Sequence, residues 1–260
     1  MVVFFDLDGT VVDTQTLYIP PSAVKTITAL RVNGHIPVVN TGRPYAHIDP
    51  RIREMDFSGW ICGCGMELML NGSWLYRRHP EEALCAFVRE QVDKWDIMPL
   101  YECTDGSLVY DPNHLGYPKQ RLEIQQMREK GFPIRTVQEH PKFMKFVSWC
   151  PEEENALGFQ KAMEPYFHII HRGCDGFTEY VLLGSTKAGG IQALLEALHI
   201  PKSDTLAIGD STNDLPMFEA AAHSVCMGNG MAEVKGIVEY VTAPLLEDGV
   251  EKAMRHYGLI

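Results

Sequence analysis

Four consecutive apolar residues, Val2-Val3-Phe4-Phe5, open the chain and stop at a carboxylate, Asp6. Apolar side chains on both sides of an extended segment predict a strand buried on both faces, the habit of a parallel sheet. After a polar turn, Pro20-Pro21-Ser22 leads into Val24, Ile27 and Leu30 at helical spacing, and Asn33-Gly34 supplies a C-terminal cap. A second apolar strand, Ile36-Pro37-Val38-Val39, then runs into Asn40-Thr41-Gly42-Arg43-Pro44. Strand, helix and strand over ~40 residues make a βαβ unit, whose crossover is right-handed.

The far end repeats this grammar. Ile191, Leu194, Leu195 and Leu198 fall at helical spacing before Pro201, and Thr205-Leu206-Ala207-Ile208 is a short apolar strand leading into Gly209-Asp210. A helix from Leu215, a strand at Ser224–Met227 and a last helix from Asp248 to Tyr257 follow. Both ends therefore read as one doubly wound α/β sheet with polar residues at the carboxyl ends of its strands, where such folds bind ligands.

The middle has a different texture. Helical patterns at Ala83–Trp95 and Leu122–Lys130 alternate with strand-like runs at Phe143–Trp149, His168–His171 and Thr178–Leu183. This α+β mixture predicts a separate inserted domain over about 83–184. Just before it, Asn71-Gly72 between apolar runs predicts a hairpin within Cys64–Arg78.

Composition then narrows the partners. The formal net charge is −11 over 260 residues. Neither nucleic acid nor an anionic membrane is expected as a partner, since both need a positive footprint. A small anionic ligand stays open, because a bound divalent cation reverses the local field. Seven irregularly spaced cysteines read as reduced thiols, and Cys62 with Cys64 lacks the second pair a zinc site needs. The ten histidines form no metal set; His168 and His171, three apart in a strand-like run, point to opposite faces. No basic segment precedes the first apolar run and no stretch reaches the ~20 apolar residues of a membrane helix. A cytoplasmic protein, monomeric or weakly homodimeric, is the expectation.

Four segments carry candidate chemistry. In Asp6-Leu7-Asp8-Gly9-Thr10, alternate side chains share a side, so Asp6 and Asp8 can converge on one site. Two adjacent carboxylates repel and call for a cation, and Mg²⁺ prefers such oxygen ligands. One carboxylate can then serve as nucleophile and the other as acid and base. A solvated Asp/Gly turn is the alternative. Gly209-Asp210-Ser211-Thr212-Asn213-Asp214 adds two acids at another strand end, or simply caps a helix start. Thr41-Gly42 offers a hydroxyl and backbone N–H groups to a phosphoryl oxygen, or is an ordinary turn. Lys187, before the Ile191 helix, can neutralise carboxylate and phosphate together, or is a solvated lysine.

Taken in order, these segments resemble the four motifs of the haloacid dehalogenase (HAD) superfamily of aspartate-nucleophile phosphatases. Thr41-Gly42-Arg43-Pro44, Asp214-Leu215-Pro216-Met217-Phe218, Met227-Gly228-Asn229 and Asp248-Gly249-Val250 resemble its Cof-type sugar-phosphatase branch, type IIB. Two departures stand out: Cys64-Gly65 replaces an Asn-Gly pair, and Ala188 separates Lys187 from Gly189-Gly190. The resemblance implies a Rossmann-like parallel-sheet core over residues 1–82 and 185–260, with an inserted α+β cap over 83–184 that sets substrate specificity. It implies Asp6 as nucleophile and metal ligand, and Asp8 as acid/base that ligates through its backbone oxygen. Asp210 would be a further ligand, with Asp214 supporting directly or through water, and Mg²⁺ the cofactor. Leu7 N–H, Thr41, Gly42, Lys187 and Asn213 would hold the phosphoryl group.

The substrate implied is a small phosphorylated metabolite, a hexose phosphate first, with pyridoxal phosphate or a flavin nucleotide behind it. Glu179, His171 and Arg172, near the predicted return of the insert, are candidate substrate contacts. The rival readings are a phosphomutase or phosphotransferase of the same fold, a receiver-like signalling domain, and a non-catalytic phospho-ligand-binding protein. Receivers are shorter and take their phosphorylated Asp from a middle strand, whereas here the second acid pair follows the lysine.

Overall fold

The computed structural model describes residues 1–137, 142–171 and 177–260, so Arg172 and Cys174 lie outside the described residues. The chain divides into two compact units: Met1–Arg43, Ile48–Tyr76 and Thr186–Ile260 form the first, and Pro44–His47 with Arg77–Ser185 the second. The second unit thus takes in more chain than the texture-based span of 83–184. Its short segment Pro44–His47 is held there by His47, whose Nε2 donates to the Gly106 carbonyl at 3.0 Å and whose ring meets Phe132 edge-on.

The first unit contains strands β1 (Val2–Phe5), β2 (Ile36–Asn40), β3 (Gly59–Cys62), β4 (Glu67–Leu70) and β5 (Ser73–Arg77, its last residue counted with the second unit). After the second unit's β6 (Met98–Glu102), β7 (Leu108–Tyr110), β8 (Ile134–Thr136), β9 (Lys145–Trp149), β10 (Phe167–His171) and β11 (Thr178–Leu182) come β12 (Thr205–Gly209), β13 (His223–Cys226) and β14 (Tyr240–Val241). The helices are α1 (Pro21–Val32), α2 (Pro50–Arg53), α3 (Glu82–Trp95), α4 (Pro118–Glu129), α5 (Glu153–Met163), α6 (Lys187–Leu198), α7 (Leu215–Ala220), α8 (Ala232–Lys235) and α9 (Gly249–His256).

The first unit's sheet runs β14-β13-β12-β1-β2-β3-β4-β5. It is parallel from β14 to β3, and β4 then pairs with β3 antiparallel. Asn71 and Gly72, both at positive φ, make the tight turn that sends β4 back as β5. From β1 the chain passes through α1 to β2 on one side and much later returns to β12 on the other. The register sets Phe5 level with Val39 and with Ile208, so the carboxyl ends of these strands open side by side. That reversal of strand order leaves a crevice outside the strand ends.

Helices cover the central strands β1, β2, β3 and β12, which is why these are buried along almost their whole length rather than alternating. On one face Val2, Phe4, Val38, Ile61 and Ala207 meet Ile191, Leu194 and Leu195 of α6 with Met217 and Phe218 of α7. Elsewhere α1 packs against α9, with Ile27, Leu30, Val250 and Met254 buried. Each such side chain contributes roughly 1.5–3 kcal/mol on full burial, offset by lost conformational freedom. Among the described residues no helix is long and apolar enough to cross a membrane.

The second unit has a mainly antiparallel sheet in the order β10-β11-β9-β6-β7-β8. Its larger core is aromatic: Tyr101, Phe143, Phe146, Phe159, Phe167 and Tyr180 lie together with Val88 and Val92 of α3 and Met163 of α5. Phe146 and Tyr180 stack at 4.5 Å, and Phe159 meets both edge-on. The opposite face holds Met98, Leu100, Val147 and Trp149 with Ile124 of α4. Replacing Phe146 by Ala removes the centre of this aromatic cluster, a change that costs about 3–5 kcal/mol in well-packed cores. Phe146→Ala is therefore expected to move the urea transition of the second unit to clearly lower concentration, and an unshifted transition in tryptophan fluorescence would contradict the packing described.

Candidate active site

Asp6 leaves β1 at the crevice, its amide still donating to the Ile208 carbonyl at 3.0 Å. The chain then folds back at once: the amides of Thr10, Val11 and Val12 all donate to the Leu7 carbonyl, and Gly9 donates to Val12. Gly9 has a φ of 82°, and a Cβ there would overlap the Asp210 carboxylate. Glycine alone satisfies both the left-handed backbone and the close approach of the two acidic loops.

Lys187 reaches the same place from below. Thr186 caps α6, its Oγ1 accepting from the Gly189 amide at 2.9 Å, and Lys187 is the helix's first residue. Its ammonium, in a side chain 3% exposed, donates to Asp6 Oδ1 at 2.6 Å and to Asp214 Oδ1 at 2.5 Å. The second Asp214 oxygen accepts the amides of Asp210 and Ser211 at 3.0 and 3.1 Å. A Cβ on Gly209 would run into that carboxylate, so a glycine is required at the strand end. Asp214 is thus both the second anchor of Lys187 and the internal support of the Asp210 loop.

Charge bookkeeping around this lysine is unbalanced. Burial pushes the Asp6 carboxyl upward; Lys187 pulls it back, and Asp214 and Asp210 push it up again. Asp210 is pushed up to about 6, by burial first and then by the charge of Asp214. Burial alone would lower the Lys187 ammonium, but the two carboxylates outweigh it and hold the proton more tightly than usual. Carboxylate oxygens of Asp6, Asp210 and Asp214 lie within 4.8 Å of one another. One ammonium against this set leaves negative charge on hard oxygen donors, which fits a small divalent cation such as Mg²⁺. A second cluster, Asp93, Asp111 and His114 in the second unit, already has a cation of its own in Arg89. Arg89 takes Asp111 there, and His114 lies 3.0 Å from both Asp93 and Asp96.

Asp8 is brought to the same crevice but held differently. Arg43 Nε donates to Asp8 Oδ2 at 2.7 Å and Nη2 to Oδ1 at 2.5 Å, with both side chains 34% exposed. Thr41 is buried at the end of β2, and its Oγ1 accepts from the Arg43 amide at 3.2 Å. Gly42 lies against Cys64, whose Sγ would stand 3.4 Å from a Cβ at that position. Asn213 is exposed, its Oδ1 accepting from Ser211 Oγ at 2.7 Å. Glu179 pairs with Lys145 at 2.6 Å inside the second unit, and His171 sits at the exposed end of β10.

Two supporting residues escaped sequence reasoning. Asn40 donates from Nδ2 to the Lys187 carbonyl at 3.1 Å, fixing the start of α6 against β2. Its signal was a polar residue closing an otherwise apolar strand. Asn229 donates to the Gly9 carbonyl at 2.8 Å and accepts from the Leu245 amide at 2.7 Å, bracing the Asp6–Asp8 loop from outside. It stood in the sequence only as part of a Met-Gly-Asn resemblance, with no local pattern to say what it would touch.

The comparisons with known proteins point the same way as the geometry. A family model described as haloacid dehalogenase-like hydrolase matches residues 3–254. YkrA of Bacillus subtilis (strain 168) is 28% identical over 99% of this chain and 98% of its own. The 5-amino-6-(5-phospho-D-ribitylamino)uracil phosphatase YitU of the same organism is 26% identical over 97% of this chain and 95% of its own. Among solved structures, the HAD subclass IIB sugar phosphatase BT4131 superposes with a TM-score of 0.79 at 26% identity, covering 100% of this chain and 99% of that one.

Two consequences of the charge arrangement are measurable. A carboxyl raised in the folded state leaves stability intact below its unfolded value and erodes it as pH climbs through the folded one. For Asp210 that window runs from 3.8 to about 6. In chelator, Asp210→Asn is expected to match wild type at pH 4 and to exceed it at pH 7. The gain is about 1–2 kcal/mol after discounting for solvent screening, and added Mg²⁺ erases or reverses it. Equal melting temperatures at pH 7 without metal would contradict the repulsion. Gly9→Ala is expected to lose most turnover while keeping the far-ultraviolet spectrum, because the Asp210 carboxylate must give way; wild-type turnover would show the two loops tolerate separation.

Proposed function

The chain belongs to the haloacid dehalogenase-like hydrolases, and from that premise we propose that it is a Mg²⁺-dependent phosphatase acting on a small phosphate monoester through an aspartyl-phosphate on Asp6. The observation that carries this reading is the buried Lys187 ammonium shared by Asp6 and Asp214, beside Asp210, at the reversal point of the sheet. A nucleophilic carboxylate must meet an already anionic phosphate, and Lys187 brings a fixed positive charge to that meeting.

In the proposed cycle, Asp6 Oδ2, the oxygen not engaged by Lys187, attacks phosphorus as the bond to the leaving oxygen breaks. Asp8 gives its proton to that leaving oxygen. Asp8 then takes a proton from the water that attacks the aspartyl-phosphate, releasing inorganic phosphate and restoring the Asp6 carboxylate. The Leu7 N–H, Thr41, Gly42, Lys187 and Asn213 hold the non-bridging oxygens. Asp6, the Asp8 backbone carbonyl and Asp210 are the proposed ligands of the cation, with Asp214 behind them, directly or through water. When bound, Mg²⁺ would supply positive charge to offset the repulsion of an anionic phosphate by a carboxylate nucleophile.

YitU is named for a ribityl-bearing phosphate and BT4131 for sugar phosphates. Both names describe phosphate on a polyhydroxylated carbon chain, and a phosphorylated sugar or sugar alcohol is the substrate class proposed here. A cytoplasmic setting suits such metabolites. Asp6→Asn, assayed with Mg²⁺ across a panel of sugar and sugar-alcohol monophosphates, is expected to fall by at least about 10³-fold, in keeping with loss of a covalent nucleophile. Near-wild-type release of phosphate by Asp6→Asn would overturn the mechanism. Isomerised sugar phosphate without free phosphate from the wild type would make the protein a mutase.

A further inference from the structure

Arg43 follows the phosphate-binding Thr41-Gly42 segment, yet its side chain turns to an acid and not to open crevice. Both Asp8 carboxylate oxygens are engaged, by Nε at 2.7 Å and Nη2 at 2.5 Å. The Arg43 backbone is held on both sides. Its amide donates to Thr41 Oγ1 at 3.2 Å, and its carbonyl accepts from the Gly63 amide at 2.8 Å. Pro44 follows directly and restricts the Arg43 backbone to extended conformations. The Cys64 amide, donating to the Thr41 carbonyl at 3.1 Å, ties the same turn to the loop after β3.

Stability is a poor explanation for this pair. Both side chains are 34% exposed, and ion pairs this open to water contribute ~0–1 kcal/mol. A planar fork on a carboxylate instead fixes its orientation, more tightly than a lysine point charge would. A carboxylate has about four lone-pair sites, and the fork uses two, leaving one on each oxygen for a reacting partner. Resting on the phosphatase reading above, we propose that Arg43 is a positioning residue. Its guanidinium orients Asp8 for proton delivery to the leaving oxygen and proton removal from the attacking water.

This role separates the two halves of the reaction by leaving group. A nitrophenolate departs without a proton, whereas a sugar alkoxide needs one. Arg43 should therefore matter to the first half-reaction only for the sugar ester, and to the water step for both. The test is rapid-mixing kinetics of the full-length enzyme with Mg²⁺, comparing wild type, Arg43→Met and Arg43→Lys on p-nitrophenyl phosphate and on a hexose monophosphate. In Arg43→Met the first turnover on the aryl ester is expected to slow by less than about 3-fold. On the sugar ester it slows by about 30-fold or more, within the 10²–10⁴ that a positioned acid supplies. Steady-state turnover falls on both esters, so the aryl ester shows a burst of nitrophenol. Arg43→Lys, keeping the charge without the fork, falls between. Equal slowing of both first turnovers, or no slowing of either, would overturn the positioning role while leaving the phosphatase reading intact. Wild-type enzyme inactive on both esters would remove the two together.

Discussion

A single ammonium group holds the crevice together. Lys187 Nζ lies between Asp6 and Asp214, all three side chains being almost fully withdrawn from water. An ion pair in that position contributes little net stability, because desolvating the charges consumes much of the attraction, but removing one member would strand the others. The geometry of everything nearby follows from keeping the three in register. Asp6 is the residue after β1, Asp214 folds back under the Asp210 loop, and Lys187 must sit at the first turn of α6 to reach both.

Close approach is bought at these points by glycine. Gly9 lets the Asp8 loop meet Asp210, Gly209 lets Asp214 pass beneath its own loop, and Gly190 has Ile61 where a Cβ would stand, bringing α6 against β3. The outer braces have the same logic. Asn229 links the Gly9 carbonyl to the Leu245 amide, and Gly228 and Gly249 lie too near the Ala243–Pro244 segment to carry side chains. The C-terminal stretch from β13 to α9 therefore serves the acidic crevice although it contributes no acid to it.

Within the site two kinds of charge pairing divide the work. The Lys187 group is buried and sets where the charge is; the Asp8–Arg43 pair is open to solvent and sets which way a carboxylate faces. Burial makes the first insensitive to salt and costly to disturb, whereas exposure leaves the second reachable by a ligand at little energetic cost. The proposed chemistry, which both neutralises phosphate and exchanges protons with small molecules, calls for one of each.

Much of this was readable from residue order alone. Apolar runs ending at Asp6, Thr41 and Asp210 determine a parallel sheet with polar strand ends, because a strand covered on both faces admits few polar residues except where it emerges. The acids and the threonine at those ends were visible for the same reason, and Lys187 was visible as a cation at the start of a helix. The second unit was less transparent. Pro99 interrupts what is in fact the interior strand β6, tolerated because β7's pairing stops at Tyr110 opposite Leu100 and leaves no partner for the missing N–H. Strands β7 and β8 have three residues each, too few to show a period. What only tertiary structure decided was pairing: that Asp214 reaches inward to Lys187 with one oxygen while its other closes a capping box with Ser211, that Arg43 grips Asp8, and that Asn40 and Asn229 brace the loops. A sequence reports which groups stand at strand ends, but hydrogen-bond partners 35 to 220 residues apart are chosen by the packing of α6, β12 and the C-terminal loop around β1. Local pattern carries no record of that choice.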